Sequence, residues 1–186
     1  MLIKILLFII IVGIILVIWE VSAYNNIVKS SVNVDEAFST MDVYLKKRYD
    51  LIPNLVETVK GYAKHESETL EAVVQARNAA VTATSAGEKM EKDAAVTEAL
   101  RSIHVVAEQY PDLKANSNFT ELMKQLNRAE EDIANARKYY NACVKKYNVR
   151  IQTFPGSLLA SIFRFDRKPL FELAVAEERE NVKVTF

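Results

Sequence analysis

The sequence predicts an all-α protein: an N-terminal transmembrane helix followed by a four-helix up-and-down antiparallel bundle. Three observations carry this reading. Residues 1–19 read MLIKILLFIIIVGIILVIW, almost wholly aliphatic, with only Lys4 and Gly13 as interruptions. Between Ala23 and Gln152 apolar residues recur at alternating steps of three and four, the period of a helix face turned toward other helices. Four glycines and four prolines leave little turn chemistry for an all-β fold.

The apolar run comes first. At about 1.5 Å per residue, residues 2–19 make a rod of roughly 27 Å, close to the hydrocarbon thickness of a bilayer. Lipid satisfies such side chains, and a helix satisfies its own backbone. A cleaved signal peptide is the alternative, because Val21-Ser22-Ala23 places small residues at the spacing read by signal peptidase. The length of the run, the thin basic leader of Lys4 and Trp19 at the water boundary favour an anchor that stays. Charge leaves its orientation open: Lys4 and the amino terminus on one side balance Lys29 on the other. The cluster Lys46-Lys47-Arg48 lies too far along the chain to weigh.

The remaining chain suffices for one domain. Three segments follow: an anchor over residues 1–22, a bundle over 23–153 and a membrane-proximal tail over 154–186. Lys plus Arg and Asp plus Glu both number 24, so there is no basic excess to draw nucleic acid. Cys143 is the single cysteine, which excludes an intrachain disulfide.

The first bundle helix shows Ile27, Val34, Phe38, Met41 and Leu45 on one face, with Ser31 in the weak slot. Its phase continues through Ile52, Leu55, Val59 and Tyr62, but Pro53 interrupts it. Proline lacks the amide proton and clashes with the preceding turn, so the helix must kink or stop. Asp50 just ahead, and proline's preference for a first helical position, favour a stop and a second helix starting near Pro53. That second helix runs through Leu70, Val73 and Ala80 to about Ala83. After the polar turn Thr84-Ser85-Ala86-Gly87, a third carries Val96, Leu100, Ile103, Ala107 and Tyr110, and Pro111 closes it. Residues 112–117 read as a loop. A fourth helix keeps its seam through Leu122, Leu126, Ala129, Ile133, Ala136, Tyr140, Cys143 and Tyr147, with tyrosines suited to wet ends of the seam. Short links make an up-and-down bundle, which returns the fourth helix to the membrane end.

In the tail, Phe154-Pro155-Gly156 ends the fourth helix. Residues 157–165 (SLLASIFRF) have two placements open. They lie in the membrane interface with aromatics inserted, or they cover the open end of the bundle, which the scarcity of exposed apolar patches favours. Residues 172–186 turn acidic and then alternate through Val182, Val184 and Phe186, as a frayed end or a docking strand.

No constellation announces a reaction. A di-metal bundle wants Glu three residues before His, twice, yet Tyr62 precedes His65 and Arg101 precedes His104 at that spacing. His65-Glu66 with Glu68 reads as a surface run. Glu130-Glu131-Asp132 reads as a solvated face or a partner of Arg128 and Arg137. Cys143 on the seam reads as a small hydrophobe, and no glycine-rich phosphate loop is present. The expectation is therefore no catalytic, cofactor-binding or metal-ligating residues, no cofactor and no enzymatic activity. Arg77 and Arg137 fall on or beside apolar faces, where a guanidinium needs a carboxylate or backbone carbonyls. Asp50, Glu57 and Glu130 are the candidate partners, and an ion pair inside the bundle is favoured over recognition of an anionic ligand.

Spaced blocks across nearly the whole chain resemble the LemA family of bacterial membrane proteins. They are Tyr24-Asn25 behind the anchor, LKKRYDLIPNLV at 45–56, Tyr62-Ala63 with His65-Glu66, YPDLKA at 110–115 and Phe119. Then come Glu130, Ile133-Ala134, Ala136-Arg137, Tyr140-Asn141, Tyr147-Asn148 and Phe154-Pro155. The resemblance implies a helical bundle behind one span in a bacterial inner or plasma membrane. It also implies a short N-terminus outside and the bundle in the cytosol, against which Lys4 speaks, and no established reaction. A magnetosome-associated relative hints at membrane organisation. The resulting expectation is a scaffold at the lipid bilayer that forms a homo-oligomer, with a monomeric adaptor for a protein partner as the alternative and no nucleic acid among its partners.

Overall fold

A computed structural model describes residues 1–171; the acidic and alternating end, with Val182, Val184 and Phe186, lies outside the described residues. Within them the chain is all-helical, without strands, in six helices: α1 (Leu2–Lys60), α2 (Ser67–Thr82), α3 (Ala86–Gln109), α4 (Pro111–Ala115), α5 (Ser117–Gln152) and α6 (Gly156–Phe163). The predicted loop over 112–117 is thus largely a short helix, opened by Pro111 in its first turn and burying Leu113. The chain divides into two units. One comprises Met1–Phe38 with Lys138–Leu170, the other Ser39–Arg137 with Phe171.

The helix predicted to stop near Pro53 does not stop. α1 is a single helix of 59 residues with Pro53 inside it, and the break comes after Lys60. Proline at position 53 leaves the Tyr49 carbonyl, four residues earlier, without its intrahelical donor. Arg77 on α2 supplies one: its Nε–H donates to that carbonyl at 3.3 Å. Pro53 itself faces solvent, so its ring displaces no core residue.

In the first unit, residues 2–22 of α1 are exposed throughout and the buried seam starts at Ile27. Ser30, Val34 and Ala37 continue it, one residue out of step with the predicted Ser31 and Phe38. α5 runs antiparallel beside it. Arg150 donates to the Asn26 carbonyl at 2.8 Å and to Ser30, and the Phe38 and Tyr140 rings lie 5.9 Å apart. Val144, not Cys143, is the fully buried residue of that turn. The tyrosines predicted to keep wet hydroxyls instead hold the chain beyond α6. Tyr147 donates to the Asp166 carbonyl at 2.9 Å and Tyr140 to the Pro169 carbonyl at 3.0 Å. Asn148 brackets Lys168 from both sides, donating to its carbonyl at 2.8 Å and accepting from its amide at 3.0 Å. A stretch with no ladder of its own thereby satisfies its backbone on α5 side chains.

The second unit is built on a helical hairpin. α2 and α3 pack on each other, and they bury Leu70, Val73 and Ala80 on the first and Val96, Ile103 and Ala107 on the second. Ser85 opens α3 with a capping box, its hydroxyl accepting from the Glu88 amide at 3.2 Å while Glu88 accepts from the Ser85 amide at 3.3 Å. Those hydrogen bonds favour the charged carboxylate and hold the Glu88 pKa below its ordinary value. Met41, Leu45, Ile52, Leu55 and Val59 from α1 and Leu126, Ala129 and Ile133 from α5 complete this core.

One glycine fixes how α6 leaves α5. A Cβ at Gly156 would run into the Arg150 carbonyl, and backbone cannot retreat as a flexible side chain can. Gly156→Ala should therefore lower the stability of the first unit by about 1–3 kcal/mol, the usual cost of overpacking. A thermal melt of the variant beside the wild type checks this, and an unchanged midpoint would mean the junction is looser than described.

Candidate functional site

A single guanidinium lies buried where α1, α3 and α5 meet in the second unit. Arg48 is 1% exposed and Asp93 on α3 is equally enclosed. Nη2 of Arg48 donates to Asp93, and Nη1 donates to Glu130 on α5 and to Thr97 Oγ1 at 3.2 Å. Tyr49 donates its hydroxyl to the same Asp93 oxygen at 2.9 Å, and Thr97 donates to the Asp93 carbonyl at 3.1 Å. Nε of Arg48 has no hydrogen-bond partner among the described residues.

The electrostatics follow from this enclosure. Burial disfavours the cation and pulls the Arg48 pKa below its ordinary value, while the charge of Glu130 pushes the other way. One guanidinium faces two carboxylates, and Arg137, close enough to act on Arg48, offsets the excess negative charge. Burial also raises the Tyr49 phenol to about 12, with the Arg48 charge opposing and Asp42 adding to the rise. Both Asp93 and Glu130 are occupied by hydrogen bonds from the guanidinium, so the cluster offers a clamp between helices more readily than a proton donor or acceptor. Beside it a recess of about 240 Å³ is lined by Thr97, Leu100, Arg101, His104, Asn127 and Glu130.

Sequence reasoning missed Arg48, which enters there only within the cluster Lys46-Lys47-Arg48 and the 45–56 block. The signal is present: stepping by three from Leu45 and by four to Ile52 passes through Arg48, and Asp93 is likewise in phase with Val96. The residues singled out in the sequence take other roles. Glu130 serves Arg48 rather than Arg128 or Arg137, because α1 presents the more deeply buried cation. Asp50 pairs with Lys46 at 2.7 Å and Glu57 lies 3.9 Å from Lys60, so neither serves Arg77. Arg77 takes the carbonyl released by Pro53 and, through Nη1, Asn78 at 3.0 Å. Arg137 lies over the Phe171 ring at 4.7 Å. His65 and His104 are exposed, and Glu66 accepts from the Tyr110 hydroxyl at 3.2 Å. Among the described residues no group of three or more His, Cys, Asp or Glu is gathered as a metal site would require.

The other conspicuous surface is residues 2–19. α1 carries the one stretch, among the described residues, that is long and apolar enough to cross a membrane, with mean hydropathy 3.2 and none of it buried.

Comparison with known proteins places these features in context. The model of the LemA family matches residues 37–186. Protein LemA of Metamycoplasma hominis is 27% identical over 184 residues, covering 97% of this chain and 81% of the relative. Magnetosome protein MamQ 2 of Paramagnetospirillum magneticum is 26% identical over 175 residues, and Magnetosome protein MamQ of Magnetospirillum gryphiswaldense 25% over 174 residues. In both cases 80% of this chain is covered, and it spans 64% of the length of each magnetosome relative.

Two outcomes are expected. Arg77→Ala should cost about 1–3 kcal/mol, because the Tyr49 carbonyl loses its donor. The cost should shrink in a Pro53→Ala background, where the restored amide supplies the missing bond; equal costs in a double-mutant cycle would deny the link between the two residues. The second concerns pH. The folded chain holds the Tyr49 proton more tightly than the unfolded chain, so the associated stability is whole below pH 10.0 and drains as the pH rises toward about 12. Denaturant midpoints for Tyr49→Phe should therefore fall less steeply over that alkaline window than those of the wild type. Parallel slopes would contradict it.

Proposed function

The chain belongs to the LemA family, and we propose that it works as a membrane-anchored scaffold that associates with copies of itself and organises membrane or envelope components. The observation that carries this reading is α1. One uninterrupted helix presents apolar side chains on all sides over residues 2–19 and a buried seam from Ile27 onward. Its first part suits lipid and its second part suits protein. The chain then crosses the cell membrane once and holds a four-helix up-and-down bundle, formed by the later part of α1 with α2, α3 and α5, at the bilayer surface.

Binding and assembly, rather than catalysis, fit the residues best. The buried charges are engaged with one another in the Arg48 clamp, whose geometry specifies helix neighbours. The magnetosome proteins among the relatives are consistent with work on membrane organisation. Self-association draws on the anchor, whose exposed apolar side chains over residues 2–19 include no functional polar group and are available to copies of the same helix.

Light scattering on full-length protein in mild detergent, corrected for bound detergent, tests assembly. A mass that is a defined multiple of the 21.1 kDa protomer is expected. A protomer mass at every concentration would overturn self-association and make the chain an adaptor for another protein.

A further inference from the structure

We propose that α6, together with Phe154, is a second membrane contact: an interfacial foot lying in the headgroup layer beside the point where α1 leaves the hydrocarbon. The inference rests on α1 being an anchor. It assigns to a different segment a binding surface for a phospholipid bilayer.

The segment's two faces differ. Gly156, Leu159 and Ala160 are buried, which seats α6 against its own unit. Leu158, Ile162 and Phe163 are each more than half exposed, and Phe154 just ahead of them is three-quarters exposed. Leu158 and Ile162 are four residues apart and share a face. A surface of leucine, isoleucine and two phenylalanines turned to water is costly, and such contiguous apolar patches mark contact sites.

What covers this patch is indicated by its neighbours. The Phe154 ring lies 5.9 Å from that of Trp19, the last residue of the apolar run. The Phe163 ring is 4.8 Å from Tyr24 and the Phe165 ring 5.8 Å from it. Trp19 and Tyr24 are separated by about 7.5 Å along a helix at 1.5 Å per residue. The foot therefore touches α1 at both edges of a band as thick as the headgroup region, where an amphipathic helix buries its apolar face by roughly 5–10 Å. The patch is continuous with the exposed surface of α1 that the bilayer covers. Tryptophan and tyrosine at those two levels are the side chains that favour that boundary.

The chain that follows completes the surface. Arg164, in the left-handed conformation with φ 57°, ends α6, and the Phe165 amide closes onto the Ala160 carbonyl at 3.0 Å. Arg164 and Arg167 are exposed there, cations at the level of lipid phosphates. Lys168 is already held by Asp35 at 2.5 Å and by the Ser31 carbonyl at 3.2 Å, which ties the segment back to α1.

Tryptophan fluorescence of the full chain in vesicles of phosphatidylcholine and phosphatidylglycerol tests this. Trp19 is the single tryptophan, so the wild type reports on the anchor. In a Trp19→Phe background, Leu158→Trp, Ile162→Trp and Phe163→Trp report separately on the foot. Val32→Trp, at an exposed site on α1 roughly 20 Å beyond Trp19 by helical rise, is the water control. The foot positions should emit to the blue of the control, resist acrylamide, and be quenched more by a spin label near the headgroup end of the acyl chain than by one near its terminus. Quenching by acrylamide as strong as at the control would overturn the foot. Shielding from acrylamide without quenching by any lipid label would also overturn it, since protein, such as a second copy, would then cover the patch. Trp19 separates the two readings. If it is quenched by lipid while the foot positions are not, the anchor stands and the foot falls; if it is itself unquenched, the anchor fails and takes the foot with it.

Discussion

One helix that passes from an exposed apolar run to a buried seam partway along its length is the constraint on which the proposed architecture depends. Residues 2–22 of α1 are all exposed, with Phe154 beside Trp19 at the end of the apolar run. At roughly 1.5–3 kcal/mol per large apolar side chain left in water, their exposure would cost tens of kcal/mol. That is the free energy an apolar phase recovers by taking them up, and it exceeds the about 5–15 kcal/mol that holds a typical domain folded. In the proposed anchoring a bilayer is that phase, and the change to a protein environment falls between Trp19 and Ile27, where exposed aliphatics give way to a buried seam. The chain after α6 is fastened in the same region of the first unit. Arg150 and Lys168 grip backbone carbonyls of Asn26 and Ser31, and Tyr140 and Tyr147 grip the returning chain.

The second unit answers a different demand. An interior of aliphatic side chains packs adequately in several helix arrangements. A buried guanidinium does not, because it needs carboxylates at fixed places. Arg48 finds them on α3 and α5 at once, and Tyr49 and Thr97 supply hydrogen bonds to Asp93. Replacing such a cluster by apolar residues of similar volume is often neutral for stability, so its value here lies in deciding which helices meet. The Arg77 contact works similarly at smaller scale. Pro53 opens one bond in α1, and the vacated carbonyl becomes a docking point for α2.

The sequence made the helices legible because their apolar period is long and regular. The limits of α3 and α5 follow from Pro111 and from Phe154-Pro155, and the buried faces of α2 and α3 largely match the reading of spacing. Pro53 misled, because a proline's local preference carries no information about a donor arriving from another helix. Arg48 and Asp93 were hidden for the opposite reason. Their spacing placed them inside, yet their residue types suggest solvent, and only the meeting of three helices reconciles the two. Tyr140 and Tyr147 read as seam residues with wet hydroxyls because nothing in the sequence shows a later segment returning to accept their protons. The sequence left the placement of residues 157–165 open, and the answer divides by face: Leu159 and Ala160 pack inward, and Leu158, Ile162 and Phe163 point out.

The central claim is that α1 remains one helix joining bilayer to bundle, and it is tested most directly by the intact mass of the chain recovered from alkali-washed membranes. The full 21.1 kDa, still in the membrane pellet, is the predicted result. A shorter chain beginning after Val21-Ser22-Ala23 and released into the wash would contradict it, because the apolar run would then be a leader that leaves and not the anchor on which the architecture depends.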